Sequence, residues 1–114
     1  MTRVFTAFLA GALLVAVSPA LAQTWPSRPV RLITTGSPGQ SIDIMLRLAA
    51  DKLARNLGGK SFVVENMPGG LGVIAAQAAA RSAPDGYTFY LGGLGFIATD
   101  RYTIKSLPYD PDRD

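Results

Sequence analysis

Hydroxyl-bearing residues surround a glycine-containing turn at residues 36–41, close to the start of the chain. Thr34, Thr35, Ser37 and Ser41 contribute the hydroxyls, and the residues that follow have helical spacing. A turn that leads into a helix N-terminus leaves backbone N–H groups unpaired at the positive end of the helix dipole. These donors could hold a carboxylate through neutral hydrogen bonds. Ser and Thr also form turns and helix caps, so both interpretations stay open.

Several kinds of chemistry are excluded by residues that the chain lacks. With no Cys and no His, it has no thiolate or imidazole metal ligands, no disulfides, and no Ser-His-Asp or Cys-His catalysis. No pair of carboxylates has a spacing that indicates acid–base catalysis. The first turn lacks the Lys of a phosphate loop. Residues 70–75 match the dinucleotide fingerprint only formally, without the later acidic residue. We therefore predict no cofactor, no metal and no catalytic residue.

Asp43 is the acidic residue nearest to the first turn, and it allows two interpretations. Together with Arg47, Asp51 and Arg55 it forms a row of alternating charge, four residues apart. Such a row is typical of ion pairs along the solvent face of a helix. An acidic residue in the first helical turn is also favoured by the helix dipole. Direct contact with a ligand is the alternative.

The elements that position these residues alternate between strands and helices. Strands are predicted at 30–35, 61–65 and 87–91, and helices at 41–57 and 71–82. The strands lie too far apart for hairpins, so the β-α-β-α-β order predicts an α/β fold with a parallel sheet and right-handed crossovers. A glycine turn follows each strand, and ligands of open α/β sheets bind at the carboxyl ends of the strands.

The first helix has an apolar face and clear end signals. Ser41 is its predicted N-cap, and Gly58-Gly59 is the predicted stop. The predicted apolar face consists of Ile42, Met45, Leu46, Ala49, Leu53 and Leu57.

Residues 1–22 have the composition of a signal peptide. Arg3 precedes an apolar run over residues 4–17, and Ala20-Leu21-Ala22 is a small-x-small cleavage pattern. A run of about 14 apolar residues is shorter than the roughly 20 that span a bilayer. Of the 11 basic residues only Arg3 lies here, so ten basic and eight acidic residues remain. They are intermixed, which argues against binding to nucleic acid.

Five blocks of the chain, in this order, carry a resemblance to a known family. They are W-P-S-R-P-V-R-L-I from Trp25, P-G-Q-S-I-D-I from Pro38, V-V-E-N-M-P-G-G-L-G from Val63, A-P-D-G-Y-T from Ala83 and L-P-Y-D-P from Leu107. With the signal peptide, these blocks resemble the Bug or TctC family, the periplasmic substrate-binding receptors of tripartite tricarboxylate transporters. The resemblance covers residues 25–112.

The resemblance implies a type 2, Venus-flytrap periplasmic-binding-protein fold whose two lobes close on a small organic acid without catalysis. It implies membrane permease subunits as partners and a carboxylate held by backbone groups and ordered water at the strand-to-helix turns. Family members continue well beyond residue 114. The resemblance therefore implies that residues 23–114 form the N-terminal part of the first lobe, apparently truncated.

Carried over to this chain, the family's ligand-binding turns predict seven site residues. They are Gly39, Gln40, Ser41 and Asp43 in the first turn, and Gly92, Gly93 and Leu94 in the third. The chain departs from the family pattern at two of these positions. Gln40 stands in place of a glycine, and Leu94 stands where the family often has a small polar residue.

Two alternative functions remain beside the receptor. One is a small exported α/β enzyme, against which the lack of His, Cys and clustered acidic residues counts. The other is a truncated fragment without binding activity, whose apolar faces need a larger sheet and which folds only marginally.

The signal-peptide interpretation predicts cleavage after Ala22. N-terminal sequencing of the exported protein should begin at Gln23. A product that keeps Met1 and sediments with membranes would contradict this prediction.

Overall fold

The protein is a three-stranded sheet flanked by helices, and its computed structural model describes residues 24–113. The elements in chain order are β1 (Val30–Thr34), α1 (Ser41–Asn56), β2 (Phe62–Asn66), a 3-10 turn (Gly70–Gly72), α2 (Val73–Ala80), β3 (Thr88–Leu91), a π-helical turn (Gly95–Thr99) and α3 (Asp100–Thr103). The predicted signal peptide and its cleavage site lie outside the described residues.

The three strands are parallel and are arranged in the order β2-β1-β3. Thr34, the last residue of β1, is in register with Asn66 of β2 and with Leu91 of β3. All three strands therefore end at one edge of the sheet. The predicted α/β class and the β-α-β-α-β order are confirmed.

The two faces of the sheet are covered by different helices. Successive residues of β1 point to opposite faces, so they contact different helices. Val30 and Leu32 form a buried cluster with Leu46 and Ala50 of α1. Ile33 lies on the other face and is fully buried. On that face α2 packs against β3 and β1, and its small side chains allow the helix to approach closely.

The buried face of α1 differs from the apolar face that the sequence predicts. The buried residues of the helix are Asp43, Leu46 and Ala50, whereas Met45 is 67% exposed and Leu53 is 41% exposed. The helix packs against β2 and β1 and is turned so that Asp43 faces inward. Its predicted apolar face is therefore only partly used within the described residues.

Two helix starts also differ from the sequence prediction. Gln40, not Ser41, is the N-cap of α1, and Ser41 is the first helical residue. The second helix begins at Val73 rather than at Leu71. Leu71 and Gly72 have positive φ values of 55° and 94°, a backbone conformation that cannot continue a right-handed helix. The segment after Phe96, for which the sequence predicts no element, forms the π-helical turn and α3.

The segment that precedes β1 contacts the start of β3, at the edge of the sheet opposite to the three strand ends. Trp25 packs against Phe62 and Tyr87, with ring centroids 6.4 and 6.2 Å apart. The backbone N–H of Ser27 donates to the Tyr87 hydroxyl at 3.0 Å. Arg28 pairs with Asp85 and lies over the Tyr87 ring. The W-P-S-R-P and A-P-D-G-Y-T blocks therefore contact each other.

Residues 24–113 include no helix with the length and apolarity that crossing a membrane would require.

The burial pattern predicts different costs for two Leu→Ala substitutions. Leu32 is buried between β1 and α1, so Leu32→Ala should lower the free energy of unfolding by about 2–5 kcal/mol. Leu53→Ala removes the same atoms from a surface position and should cost less than about 1 kcal/mol. Urea denaturation followed by circular dichroism measures both, and equal losses would contradict the arrangement of α1.

Candidate functional site

The three glycine turns lie together at the edge where the parallel strands end. The first turn follows Thr34 of β1, the second follows Asn66 of β2, and the third follows Leu91 of β3. Because β1 is central, the first turn lies between the other two. This is the edge at which the sequence predicts a ligand site.

Asp43, in the first helical turn of α1, is a buried polar residue beside the first glycine turn. Its carboxylate accepts a hydrogen bond from the Gly39 backbone N–H at 2.8 Å. Arg47 Nε donates to both carboxylate oxygens, at 2.9 and 3.0 Å. The Asn66 side-chain amide donates to the same carboxylate at 2.8 Å. The residue is only 2% exposed, and these donors replace the water that it has lost.

Asn66 connects this carboxylate to the end of β2. Its side-chain Nδ2 also donates to the Gly36 carbonyl at 2.8 Å, and its Oδ1 accepts from Arg47 Nη2 at 3.0 Å. One amide therefore contacts the first turn, the first helix and the end of the second strand. Gly36, Gly39, Asp43, Arg47 and Asn66 are referred to below as the Asp43 network.

The Asp43 network corrects the interpretation of Asp43 as part of a solvated row of charges. The ion pair with Arg47 is present as predicted, but Asp43 is buried. Of the two ion pairs in this row, the Asp51–Arg55 pair, further along the helix, is the one with both partners exposed. The hydrogen bond from Arg47, followed by those from Gly39 and Asn66, lowers the pKa of Asp43 far below its usual range. The carboxylate is therefore charged at neutral pH.

Gln40 forms two hydrogen bonds within the first turn, both with the backbone of Ser37. Its side-chain Oε1 accepts the Ser37 backbone N–H at 2.8 Å, and its own backbone N–H donates to the Ser37 carbonyl at 3.1 Å. The residue that replaces the family's glycine therefore has its side-chain oxygen occupied. Because a backbone N–H can only donate, this contact also orients the side-chain amide.

The start of α1 presents unpaired backbone donors at the same edge. Within residues 24–113, the backbone N–H groups of Ser41, Ile42 and Asp43 have no hydrogen-bond acceptor. Gly39 has a φ of +86°, and a Cβ added to it would meet no atom within 4 Å. The turn is therefore open on this side, and its free donors belong to the backbone at the positive end of the helix dipole.

The third turn brings the other three predicted site residues to the same edge. A Cβ on Gly92 would lie 2.4 Å from the Tyr90 ring, so a side chain at this position would have to displace that ring. Gly93 has open space around its Cα, and Leu94 is 84% exposed. An apolar side chain thus stands in the solvent beside the turn.

The segment after the third turn is held by the L-P-Y-D-P block. Tyr109 stacks on Phe96, with centroids 5.1 Å apart, and its hydroxyl donates to buried Asp100 at 3.1 Å. Burial, and then the hydrogen bond to Asp100, raise the pKa of Tyr109 to about 12. The block therefore anchors the third turn.

Three residues of this edge are not predicted from the sequence to belong to a site. The pattern places Arg47 in a solvated ion pair, gives Asn66 no role, and places Tyr90 in a strand. The position of Asn66 directly before the second turn was an available signal. Across the described part of the chain, no three acidic side chains lie close enough together to hold a metal ion.

Comparison with known proteins identifies relatives over most of the chain. The family model described as "Tripartite tricarboxylate transporter family receptor" matches residues 45–114. A UPF0065 protein of Bordetella bronchiseptica is 42% identical over 110 residues, which is 96% of this chain and 32% of that protein. The chain therefore spans about a third of the length of this relative.

Three solved structures resemble the described fold. The structure of R. palustris Rpa4515 with adipate has a TM-score of 0.73 and 40% identity, covering 79% of this chain and 30% of that one. MatC from Rhodopseudomonas palustris with bound malate has a TM-score of 0.69 and 34% identity, covering 77% and 30%. The periplasmic binding protein BugD has a TM-score of 0.69 and 34% identity, covering 76% and 28%.

The Asp43 network predicts unequal effects of removing two carboxylates from the same helix. Because the folded-state pKa of Asp43 is lowered from 3.8, its charged form stabilises the fold above about pH 4, and this contribution is lost as the pH falls further. We expect Asp43→Asn to lower the urea midpoint at neutral pH and to weaken its dependence on pH below about 4.

Asp51→Asn is the matched control, because Asp51 forms an exposed pair with Arg55 at the same i,i+4 spacing. Exposed pairs of this kind contribute little. The control should therefore change the midpoint far less than Asp43→Asn does. Equal effects would contradict a special role of the Asp43 network.

Proposed function

This chain belongs to the tripartite tricarboxylate transporter receptor family, and from this premise we propose that it captures a small organic acid in the periplasm for membrane permease subunits. Two of the similar solved proteins hold adipate and malate. Both ligands are small dicarboxylic acids. The proposed ligand class for this chain is therefore a small organic acid with at least one carboxylate.

The observation that carries the proposal is the open N-terminus of α1 at the junction of the three turns. Ser41, Ile42 and Asp43 offer backbone N–H groups that have no acceptor among residues 24–113. The positive end of a helix dipole favours an anion, and hydrogen bonds to a charged acceptor are stronger than neutral ones. The Asp43 charge is compensated by Arg47, so it does not repel the ligand as an unpaired carboxylate would.

The proposed roles of the seven site residues follow from their places at this edge. Gly39, Gln40 and Ser41 surround the carboxylate at the first turn, and Asp43 contributes its backbone N–H, since its side-chain oxygens are occupied. The third turn forms the other wall, through Gly92, Gly93 and Leu94. Ordered water completes the contacts.

The proposal extends to export and domain organisation. Arg3, the apolar run and Ala20-Leu21-Ala22 support removal of residues 1–22 as a signal peptide. Residues 23–114 are proposed to form the N-terminal part of the first lobe of a two-lobed receptor. The similarity to about 30% of the length of each solved relative supports this assignment.

Calorimetric titration of the purified chain with adipate, malate and citrate tests the function. We expect saturable binding, and Ser41→Ala should weaken it about tenfold or more, because one hydrogen bond to a charged carboxylate contributes about 1.5–3 kcal/mol. Ser61→Ala is the control, because Ser61 is exposed at the opposite edge of the sheet. Gly39 is a poorer probe, since its φ of +86° means that any side chain would strain the turn itself.

Absence of saturable binding to all three acids would contradict the proposed function. Equal affinities of wild type and Ser41→Ala would contradict the assignment of Ser41 to the site. Formation of product from any of the acids would favour the alternative of an exported enzyme.

A further inference from the structure

Tyr90 lies near the end of β3 on the sheet face opposite to α1. It is in register with Ile33 of β1, and the two residues therefore share a face. Its ring packs edge-to-face against Phe96, with centroids 4.9 Å apart and planes at 73°. The residue is half-buried. The ring is therefore held in place on one side, and its hydroxyl points towards the edge where the turns meet.

Two glycines make room for the Tyr90 hydroxyl. A Cβ on Gly92 would lie 2.5 Å from the hydroxyl oxygen, closer than atoms can approach. A Cβ on Gly72 would lie 3.5 Å from the same oxygen and 3.0 Å from Thr35 Cγ2. The hydroxyl thus lies between the second and the third turn, close to Thr35, which directly precedes the first turn.

The Tyr90 hydroxyl makes no hydrogen bond to any residue among 24–113, unlike two other tyrosine hydroxyls. The hydroxyl of Tyr87 bonds to Ser27, and that of Tyr109 bonds to Asp100. Every fully buried side-chain nitrogen or oxygen in this part of the chain has a partner. The Tyr90 hydroxyl must therefore be reached by solvent, so it is free to donate to a bound molecule. Burial, and then the charge of Asp100, raise the pKa of Tyr90 above its ordinary value, which keeps the hydroxyl protonated.

We propose that Tyr90 is a specificity-determining residue whose hydroxyl donates a hydrogen bond to the second carboxylate of a dicarboxylic acid. The inference rests on the proposed function, in which the first carboxylate binds at the start of α1. That helix and Tyr90 lie on opposite faces of the sheet but at the same edge. A ligand that contacts both must extend across the end of β1, and it needs a polar group at each end.

The test compares adipate with hexanoate, a monocarboxylate of the same chain length. Calorimetric titration of the purified chain should show that Tyr90→Phe weakens adipate binding about tenfold or more and leaves hexanoate binding unchanged. Tyr87→Phe is the matched control, since Tyr87 precedes the same strand at the opposite edge and its hydroxyl bonds within the chain. It should leave the affinity for both acids unchanged.

A second measurement needs no substitution. In wild-type protein with ¹³C-labelled tyrosine rings, adipate should shift the Cζ resonance of Tyr90 more than hexanoate does. Equal adipate affinity of wild type and Tyr90→Phe, or equal losses for both acids, would overturn the inference and leave the proposed function standing. Failure of wild type to bind any of the acids would overturn both.

Discussion

The burial of the Asp43 carboxylate is the constraint on which the rest of the site depends. A charged group that loses its water must regain hydrogen bonds, or its burial costs several kcal/mol. Asp43 regains them from the turn that precedes its helix, from Arg47 one helical turn later, and from Asn66 at the end of β2. Meeting this requirement sets the rotation of α1, the conformation of the first turn and the distance between the first two turns.

The Asp43 network also explains how an acidic residue can lie beside the proposed anion site. Arg47 compensates the Asp43 charge, and Gly39 donates its N–H to Asp43, while the first three N–H groups of α1 have no acceptor among residues 24–113. Binding would then depend on preorganised backbone donors and not on a free cationic side chain. Neutral hydrogen bonds hold an anion less tightly than an ion pair in a dry site would. Such moderate strength is compatible with the proposed function, in which the ligand is captured and then released.

The two edges of the sheet differ in how their polar groups are used. At the edge where the strands begin, Tyr87 bonds to Ser27 and carries Arg28 over its ring, so the groups there satisfy one another. At the edge where the strands end, backbone N–H groups and the Tyr90 hydroxyl remain without partners in the described chain. In an α/β ligand-binding lobe, the edge where the strands begin is expected to be rigid, and the edge where they end is expected to be open to a ligand.

The order of strands and helices, the parallel sheet and the edge at which the glycine turns meet are predictable from the sequence, because strand length, helical period and Gly/Pro turns are local patterns. The sequence did not determine which residues of α1 are buried. Asp43 and Arg47 would be four residues apart whether their ion pair was solvated or part of a buried network. The contact that distinguishes these two arrangements is with Asn66, which is 23 residues away from Asp43. The position of the Tyr90 hydroxyl likewise depends on Gly72 and Gly92 in two different turns. Such contacts arise only when the sheet brings distant segments together, so no local pattern in the sequence can predict them.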